Sequence, residues 1–340
     1  MKTTTCTVRF ICPAFLGDAQ QKGAWRTPPL KAELRHWWRV LLAGRGLSYT
    51  EIREREAQLF GNARPDQTAC KSRVRLRLSR WDAGKLGNPA PSVGSIANGD
   101  KRIDGGLYLG YGAVAYDNAS KGTQLEHAPA IDAGETATLR IGVRARSGDA
   151  LDDTADIANA LALMSRYGTV GGRSRNAWGS FVLDGDDLST ADTNTILKDW
   201  RDALALEWAT GIGQDESGPL IWATEAKKDW RKAMQALAQQ RSDINRSVQS
   251  AAERALLSYP VTKKDLREWG NNARLPNSLR LKIVEEDGGL RGLIFHMPCH
   301  PPQELWERHP WHTDTSRLQK LWQEVHHDLD RSNKLERVTA

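Results

Sequence analysis

Residues 168–180 read Gly-Thr-Val-Gly-Gly-Arg-Ser-Arg-Asn-Ala-Trp-Gly-Ser and join a helix-like run to a strand-like run. Glycines let the backbone approach a ligand closely, and free amides beside arginines form a cradle for anions. The segment lacks the Lys-Ser/Thr ending of the phosphate loops in nucleotide triphosphatases. It therefore predicts a loop that binds a nucleic-acid backbone, and the alternative is a plain glycine-rich turn at the end of a helix.

The regular elements around this loop follow the order strand, helix, strand, strand, helix, strand. This βαββαβ order is the ferredoxin-like or RRM-like plan, so the sequence predicts an α+β fold. An additional short helix, with a capping box at Ser48 and Glu51, is expected before the second strand and ends at Gly61. The expected main elements are strand 5–12, helix 27–42, strands 73–80 and 136–146, helix 150–167 and strand 180–183.

The sequence predicts two domains, 1–183 and 184–340, with an insertion in the first at about 83–134. The second half reads as a more helical, degenerate copy of the same plan. Its expected elements are a long helix at about 225–257, a hairpin built from 278–284 and 290–297, a final helix at 315–329 and a frayed tail at 331–340.

Charge divides unevenly along the chain. The first 183 residues carry 26 Lys and Arg against 17 Asp and Glu, a net charge of +9, whereas the remainder carries 22 against 25, a net charge of −3. A basic front half favours a polyanionic partner. The four cysteines form no C-x-x-C pair, nothing resembles a signal peptide, and no apolar run reaches the ~20 residues that span a bilayer. We therefore expect a cytoplasmic protein with reduced thiols that does not bind membranes.

Arginine and lysine recur at the period of the element that carries them. Lys31, Arg35 and Arg39 form a stripe on the first helix, which we call the α1 stripe. Alternation also places arginines on one face of each of two strands, and unpaired guanidinium groups are costly to bury. These faces favour an anionic ligand, and the alternative is an ordinary solvated surface. The strand arginines are Arg73, Arg75 and Arg77 in one strand and Arg140, Arg144 and Arg146 in the other.

Several motifs together resemble one known family. The N-terminal half contains F-I-C-P-A-F-L-G-D-A (10–19) and G-A-W-R-T-P-P-L-K-A-E-L-R-H-W-W-R (23–39). Further matches are L-F-G-N-A (59–63), K-S-R-V-R-L (71–76), Y-L-G-Y-G (108–112) and G-G-R-S-R-x-x-x-G-S (171–180), with weaker ones at R-L-P-N-S-L-R-L-K (274–282) and F-H-M-P (295–298). The chain resembles the RAMP superfamily, and within it the first Cmr RAMP subunit at the head of type III-B CRISPR effector complexes.

The resemblance implies two ferredoxin-like RAMP domains, no enzymatic activity of the subunit alone and no cofactor. It further implies binding to guide and target RNA near the 3′ end of the guide, in antiviral defence, beside other Cmr-complex subunits. The residues that it assigns to RNA binding are Trp25, Arg26, Lys31, Arg35, Trp38, Arg39, Lys71, Arg73, Gly171, Gly172, Arg173, Ser174 and Arg175. The core is the alternative for Trp37 and Trp38, and we expect one of the two to be buried.

Two other functions remain compatible with the sequence. His36 lies in the first helix, where RAMP-type endoribonucleases that process guide RNA can carry a catalytic histidine. Asp18 does not occupy the position of the cutting aspartate in the related backbone subunits, and we expect it to form an Asx turn. A protein scaffold without RNA affinity of its own is the third interpretation.

A group of histidines and a cysteine near residue 300 contains atom types that bind zinc. The group lacks zinc-finger spacing, and its Pro-Pro and Trp-rich surroundings favour a packed loop, so it is only a weak metal candidate. Its members are His296, Cys299, His300, His309 and His312.

Overall fold

The computed structural model describes residues 1–63, 69–144, 153–186, 188–261, 266–270 and 272–338. Two compact units contain them. Unit 1 comprises Met1–Pro91, Leu109–Ile196 and Lys282–Val284; unit 2 comprises Ser92–Tyr108, Leu197–Leu281 and Glu285–Ala340.

The strands are β1 (Lys2–Phe10), β2 (Val74–Leu78), β3 (Ser95–Asn98), β4 (Lys101–Asp104), β5 (Val114–Asp117), β6 (Gly122–Leu125), β7 (Thr136–Val143), β8 (Phe181–Asp184), β9 (Leu197–Asp199), β10 (Ile212–Asp215), β11 (Gly218–Pro219), β12 (Ile221–Thr224), β13 (Leu279–Glu286), β14 (Gly289–His296) and β15 (Leu335–Arg337). The helices are α1 (Thr27–Gly44), α2 (Tyr49–Phe60), α3 (Gly105–Gly110), α4 (Asp153–Tyr167), α5 (Trp200–Leu204), α6 (Trp230–Ser247), α7 (Ala251–Leu257), α8 (Gln303–Trp306) and α9 (Ser316–Asp330). None of these described helices is both long and apolar enough to cross a membrane.

Unit 1 is built on an antiparallel sheet with the strand order β2-β7-β1-β8. Helix α1 follows β1 and helix α4 follows β7, so the predicted βαββαβ order is confirmed. Alternate residues of each strand face a core that contains Val8, Phe10, Leu139 and Ile141, all nearly inaccessible to solvent. The loop after β1 therefore begins at residue 11 and the loop after α4 at residue 168, each at the end of an element that belongs to this sheet and its helices.

Helix α2 starts and ends as the sequence predicts. The Ser48 side chain accepts a hydrogen bond from the Glu51 amide, and the Glu51 carboxylate accepts one from the Ser48 amide at 2.8 Å. At the other end, Gly61 adopts a positive φ of 91°, which glycine tolerates without strain. The Leu59 carbonyl near the end of α2 accepts from the Arg73 amide at 2.9 Å, which joins α2 to the residue before β2.

Unit 2 repeats the same connectivity. Its four-stranded sheet has the order β13-β14-β12-β15, with α6 between β12 and β13 and α9 between β14 and β15. The predicted second ferredoxin-like domain is therefore confirmed at the level of the fold. The expectation of a frayed tail is wrong, because β15 pairs with β12 through Trp222 and Arg337. Arg337 is held in place by Asp215, with Nη2 2.6 Å from Oδ1.

The predicted single helix at about 225–257 is instead two helices, α6 and α7. Val248 leaves the helical conformation with φ −82° and ψ 113°, which ends α6. Ser250 and Glu253 then form a second capping box that starts α7. A reciprocal cap satisfies amides at a helix start, so this sequence favours a new helix over the continuation of the old one.

The hairpin β3–β4 comes from the predicted insertion at 83–134 and belongs to unit 2. The Gln239 side chain on α6 pairs with the backbone of Ala97, accepting from its amide at 2.9 Å and donating to its carbonyl at 3.2 Å. The insertion thus contributes residues to both units.

Candidate nucleic-acid interface

The glycine loop, which we define as residues 168–180, runs from the end of α4 to the start of β8. The Val170 amide donates to the Gly179 carbonyl at 3.1 Å, and the Gly179 amide donates to the Pro13 carbonyl at 2.8 Å. A side chain at Gly179 is strongly unfavourable, because its φ is +70° and a β-carbon would lie 1.9 Å from the Val170 carbonyl oxygen. The base of the loop is therefore tied firmly to the loop that follows β1.

The tip of the glycine loop presents its arginines to solvent. Gly172, Arg173 and Arg175 are exposed, and Arg173 adopts the left-handed conformation with φ +57°. The Gly172 amide is not free for an anion, since it donates to the Phe15 carbonyl at 2.9 Å. The positive charge that the tip offers to a ligand accordingly comes from side chains more than from this amide.

A cleft of about 400 Å³ opens beside the tip of the loop. Phe15, Gly17, Gly172 and Arg173 contribute to its wall. Arg26, another predicted RNA-binding residue, donates from Nη1 to the Gly17 carbonyl at 2.5 Å and so braces the same wall. Arg26 therefore contacts a residue of the cleft wall that the glycine loop also lines, although Arg26 does not line the cleft itself.

The α1 stripe makes contacts to neighbouring elements. Lys31 donates from Nζ to Ser72 Oγ at 2.8 Å, and its pKa is lowered by partial burial and by the nearby Arg35. Arg35 and Arg39 both bind Oε1 of Glu56 on α2, at 2.6 and 2.9 Å. One buried carboxylate therefore neutralises part of a cluster that keeps a net positive charge.

The glycine loop and the α1 stripe use different sides of α1. The Glu33 carboxylate accepts from Trp37 Nε1 at 2.8 Å and from the Thr169 amide at 3.3 Å, so it joins α1 to the start of the loop. At 3.6 residues per turn, Glu33 points about 200° away from Lys31 around the helix axis. The two predicted basic features are therefore separate surfaces of unit 1.

The strand arginines have diverse environments. Arg73 forms an ion pair with Asp153, whereas Arg75, Arg77 and Arg140 are exposed on the open face of the sheet. Arg77 lies directly opposite Arg140 in the register of β2 and β7. Like charges placed opposite each other on a sheet are destabilising, which is consistent with an anionic partner. Lys71 and Arg144 are also exposed, and Arg146 lies outside the described residues.

The structure corrects the assignment of two tryptophans to RNA contact. Trp25 and Trp38 are each only 1% exposed, so neither ring can stack on a base. Trp25 packs edge-on against Phe10 and donates from Nε1 to Glu135 at 3.1 Å. Trp38 packs edge-on against Phe60 of α2. Both are core residues, because each ring buries a large apolar surface in an edge-on contact with a neighbouring aromatic ring.

Asp18 and His36, the two residues considered for catalysis, both contact neighbouring parts of unit 1. Asp18 accepts hydrogen bonds from the amides of Gln20 and Lys22, both at 2.9 Å, which is the predicted Asx turn. His36 is half-buried, with its ring 5.4 Å from that of Trp37. The turn explains the position of the Asp18 carboxylate, and the ring contact places His36 against the buried Trp37.

The histidines near residue 300 are not gathered around one point. His296 is buried between Ser278 and His326, with its Nδ1 2.9 Å from His326 Nε2. His309 lies 3.1 Å from the Ala252 carbonyl, and burial lowers the pKa of its imidazole. Across the described residues, no group of three His, Cys, Asp or Glu side chains is arranged to hold a metal ion. His300 and Cys299 are half-buried, and His312 is exposed with its Nδ1 2.9 Å from the His309 carbonyl.

Sequence reasoning missed the acidic residues that organise the basic surface and one exposed aromatic. Glu33 on α1 and Glu56 on α2 are spaced like the other charged residues of their helices, so no local sequence pattern singles them out. Tyr111 is 67% exposed next to Gly112, and a β-carbon at Gly112 would lie 2.8 Å from Arg173 Nη2. The Y-L-G-Y-G motif contains this tyrosine, but the sequence does not tell whether its ring is exposed.

Comparisons with solved structures find similar chains at low sequence identity. The structure of Cmr1 from Pyrococcus furiosus in its apo form is 15% identical, with 89% of this chain and 90% of that chain covered and a TM-score of 0.47. A chain from the cryo-EM structure of the Type III-B Cmr-beta bound to cognate target RNA and AMPPnP is 11% identical, with 86% and 93% covered and a TM-score of 0.51. At such identities the second likeness concerns the fold alone. No curated protein sequence matches the chain.

The sequence profile of the RAMP superfamily matches residues 10–182, which run from the last residue of β1 through α1, β2, β7, α4 and the glycine loop to the first two residues of β8. This match extends over more than half of the 340 residues. Together with the ferredoxin-like order of both sheets, it establishes that the chain belongs to the RAMP superfamily.

Proposed function

We propose that this chain is a non-catalytic, RNA-binding subunit of a type III-B CRISPR ribonucleoprotein and grips RNA near the 3′ end of the guide and its paired target. The observation that carries the proposal is the glycine loop, which holds Arg173 and Arg175 in solvent beside a cleft braced by Arg26. The fold relative from the Cmr-beta structure belongs to a complex bound to cognate target RNA, which supports RNA as the ligand. Other subunits of the complex are the proposed protein partners.

The contacts proposed are to the phosphate backbone and not to particular bases. Arginine forms paired hydrogen bonds with phosphate oxygens, and such contacts release counterions, so binding weakens as salt rises. Arg26, Arg173, Ser174 and Arg175 form the loop part of this clamp. Lys31, Arg35, Arg39 and Lys71 form its second part on the other side of α1, with the exposed strand arginines extending the positive surface.

The test is RNA binding by the double variant Arg173→Ala plus Arg175→Ala, measured by fluorescence anisotropy with several unrelated single-stranded RNAs. We expect affinity to fall roughly tenfold or more for every sequence, with a salt slope shallower by about 0.7 for each phosphate that the variant no longer neutralises. The matched control is Arg267→Ala plus Arg308→Ala, which removes two exposed arginines from the acidic half. Equal binding by the loop variant and the wild type at each salt concentration would remove the loop from the clamp.

The same samples report cleavage, which separates the clamp from the endonuclease. We expect intact RNA after incubation with or without divalent metal. RNA cleavage that disappears in His36→Ala would replace the proposal with a processing enzyme, and wild-type protein that binds no RNA at any salt concentration would favour the scaffold.

A further inference from the structure

We infer that Lys282 is a positioning residue for RNA binding, which acts through the two ends of the glycine loop and so holds Arg173 and Arg175 toward the ligand. The inference rests on the proposed function and adds to the clamp a side chain that is buried and does not itself touch RNA. Lys282 ends the motif R-L-P-N-S-L-R-L-K (274–282), which the proposed clamp does not use.

Lys282 is a buried charge with a complete set of partners. It is 0% exposed, although lysine is almost never fully buried unless it is paired. Its Nζ donates to the carbonyls of Ser165 at 2.5 Å, Gly168 at 2.6 Å and Phe181 at 2.9 Å. An ammonium group has three donors and no acceptor, so these contacts satisfy it fully. A neutral side chain in this place would deprive all three carbonyl oxygens of that donor.

The contacts of Lys282 lie at the two ends of the glycine loop. Gly168 is the first residue of the loop, and Phe181 follows its last one. The Ile283 amide, next along the chain, donates to Ser180 Oγ at 3.0 Å. All these residues belong to unit 1. Two consecutive residues thereby close the base of the loop, and the cation also complements the negative end of the α4 dipole.

The peptide group between Gly168 and Thr169 is held on both sides by charge. Its carbonyl accepts from Lys282, and its N–H donates to Glu33 Oε1 on α1 at 3.3 Å. Burial lowers the pKa of Lys282 to about 7, and the negative charge of Glu33 acts in the opposite direction. Below that pH, an ammonium group and a carboxylate therefore fix the orientation of this peptide group.

Thr169 connects that peptide group to the tip of the loop. Its Oγ1 donates to the Ser174 carbonyl at 2.9 Å, and Ser174 lies between the exposed Arg173 and Arg175. One peptide group and one hydroxyl thus link the buried ammonium to the two arginines. A change at Lys282 should therefore alter RNA affinity through these arginines and through no other part of the clamp.

The experiment is a double-mutant cycle, measured by RNA anisotropy on the full chain at pH 6, where the ammonium form prevails. Lys282→Met removes the charge and keeps the side chain long and unbranched. We expect it to weaken binding roughly fivefold, within the range for residues of one hydrogen-bond network. In the background of Arg173→Ala plus Arg175→Ala the same change should have no effect, because the side chains through which it acts are gone. The matched control is Lys320→Met, which removes one exposed lysine from α9 and should leave affinity unchanged.

Two further variants address the link and the folding of the protein. Thr169→Val removes the hydroxyl that binds the Ser174 carbonyl and should reproduce part of the loss, again only while both loop arginines are present. Lys282→Gln keeps two donors, should lose less affinity, and takes the place of Lys282→Met in the cycle if that variant is unfolded. Thermal melts verify that each protein is folded.

The inference would be overturned by a folded Lys282→Met or Thr169→Val variant that binds RNA like the wild type, or by a loss that adds in full to that of the double arginine variant. Unfolding of both Lys282 variants would also overturn it, because the residue would then be a requirement of the core. The double arginine variant alone tests the proposed function. If it loses affinity and Lys282→Met does not, the clamp remains and the positioning role is removed. If it binds like the wild type, the loop leaves the clamp and the inference fails with it.

Discussion

At the scale of single residues, the glycines of the 168–180 loop determine its backbone conformation, whereas its arginines are exposed to solvent. Gly171 and Gly179 adopt positive φ where a β-carbon would approach a carbonyl oxygen within 2.7 and 1.9 Å, respectively. Their conformation and close packing shape the loop. Arg173 occupies the same left-handed region although it has a side chain, which makes it the residue whose conformation calls for a functional explanation.

Gly179→Ala should destabilise the protein by on the order of 3 kcal/mol, because the methyl group adds both a strained φ and an overlap with the Val170 carbonyl. Urea unfolding measures the loss. Gly46→Ala is the matched control, since Gly46 has φ +87° and nothing within 4 Å, and it should cost about 1 kcal/mol. Equal losses in the two variants would mean that the loop relaxes around the new methyl group.

Residue-level prediction from the sequence succeeded where local chemistry decides the outcome. Asp18 forms the expected Asx turn and Ser48 the expected cap, because both depend on neighbours within four residues. Trp25 and Trp38 were misassigned, since the family motif that contains them does not tell a buried ring from an exposed one. His326 was missed because it sits in the apolar stripe of α9, where burial depends on the partner His296 thirty residues away.

At the scale of elements, α1 and α2 are joined through Glu56, and this contact bears on RNA binding. Glu56 is 8% exposed and accepts hydrogen bonds from Arg35 and Arg39. Its negative charge therefore partly neutralises the two arginines that a ligand on the α1 stripe would contact. A carboxylate in this position both stabilises the helix pair and weakens the field of the stripe.

Glu56→Gln should therefore strengthen RNA binding several-fold and steepen its salt slope by about 0.7 for each additional phosphate that the stripe neutralises. It should also lower stability by about 1 kcal/mol, since both arginines are more than a third exposed and solvent screens their pairing. Glu54→Gln on the same helix is the control, because exposed Glu54 makes no ion pair among the described residues. An unchanged affinity and slope in Glu56→Gln would assign the stripe to helix packing alone.

Elements with strong periodicity were located well, and those set by distant contacts were not. The alternation of β7 and the caps of α2 determine their own bounds. The same capping signal divides α6 from α7 at Ser250. Apolar residues recur on both sides of it, such as Ile244 and Ala255, so the sequence reads as one helix. Strand β15 has only three residues and depends on pairing with β12 more than a hundred residues earlier, so no local pattern could reveal it.

At the scale of the whole molecule, both units use one plan while their chemistry differs. The sheet orders β2-β7-β1-β8 and β13-β14-β12-β15 correspond strand for strand. The glycine loop and the arginines of the candidate interface lie in unit 1, which falls in the basic half of the chain. Unit 2 instead buries a polar chain from Ser278 through His296 to His326, which gives it a stability that depends on pH.

The buried histidines predict loss of stability in mild acid. Burial lowers the pKa of His326 to about 3, with smaller effects from Arg337, His327 and Arg201, and burial and His326 lower that of His296 well below its usual value. The unfolded chain then binds more protons than the folded chain below about pH 6.5, so stability is greatest above that pH and falls as pH decreases. Between pH 7 and 5 we expect a loss on the order of 4 kcal/mol by urea unfolding, roughly 2 kcal/mol from each histidine, since each contributes at most about 1.4 kcal/mol per pH unit below the pKa of the unfolded chain. His326→Gln should roughly halve this pH dependence whatever its own cost in stability, whereas exposed His127→Gln should leave it unchanged.

Identical pH dependence in wild type and His326→Gln would show that the pair is not the source of the acid sensitivity, and carboxylates that titrate near pH 5 would then be the groups to vary.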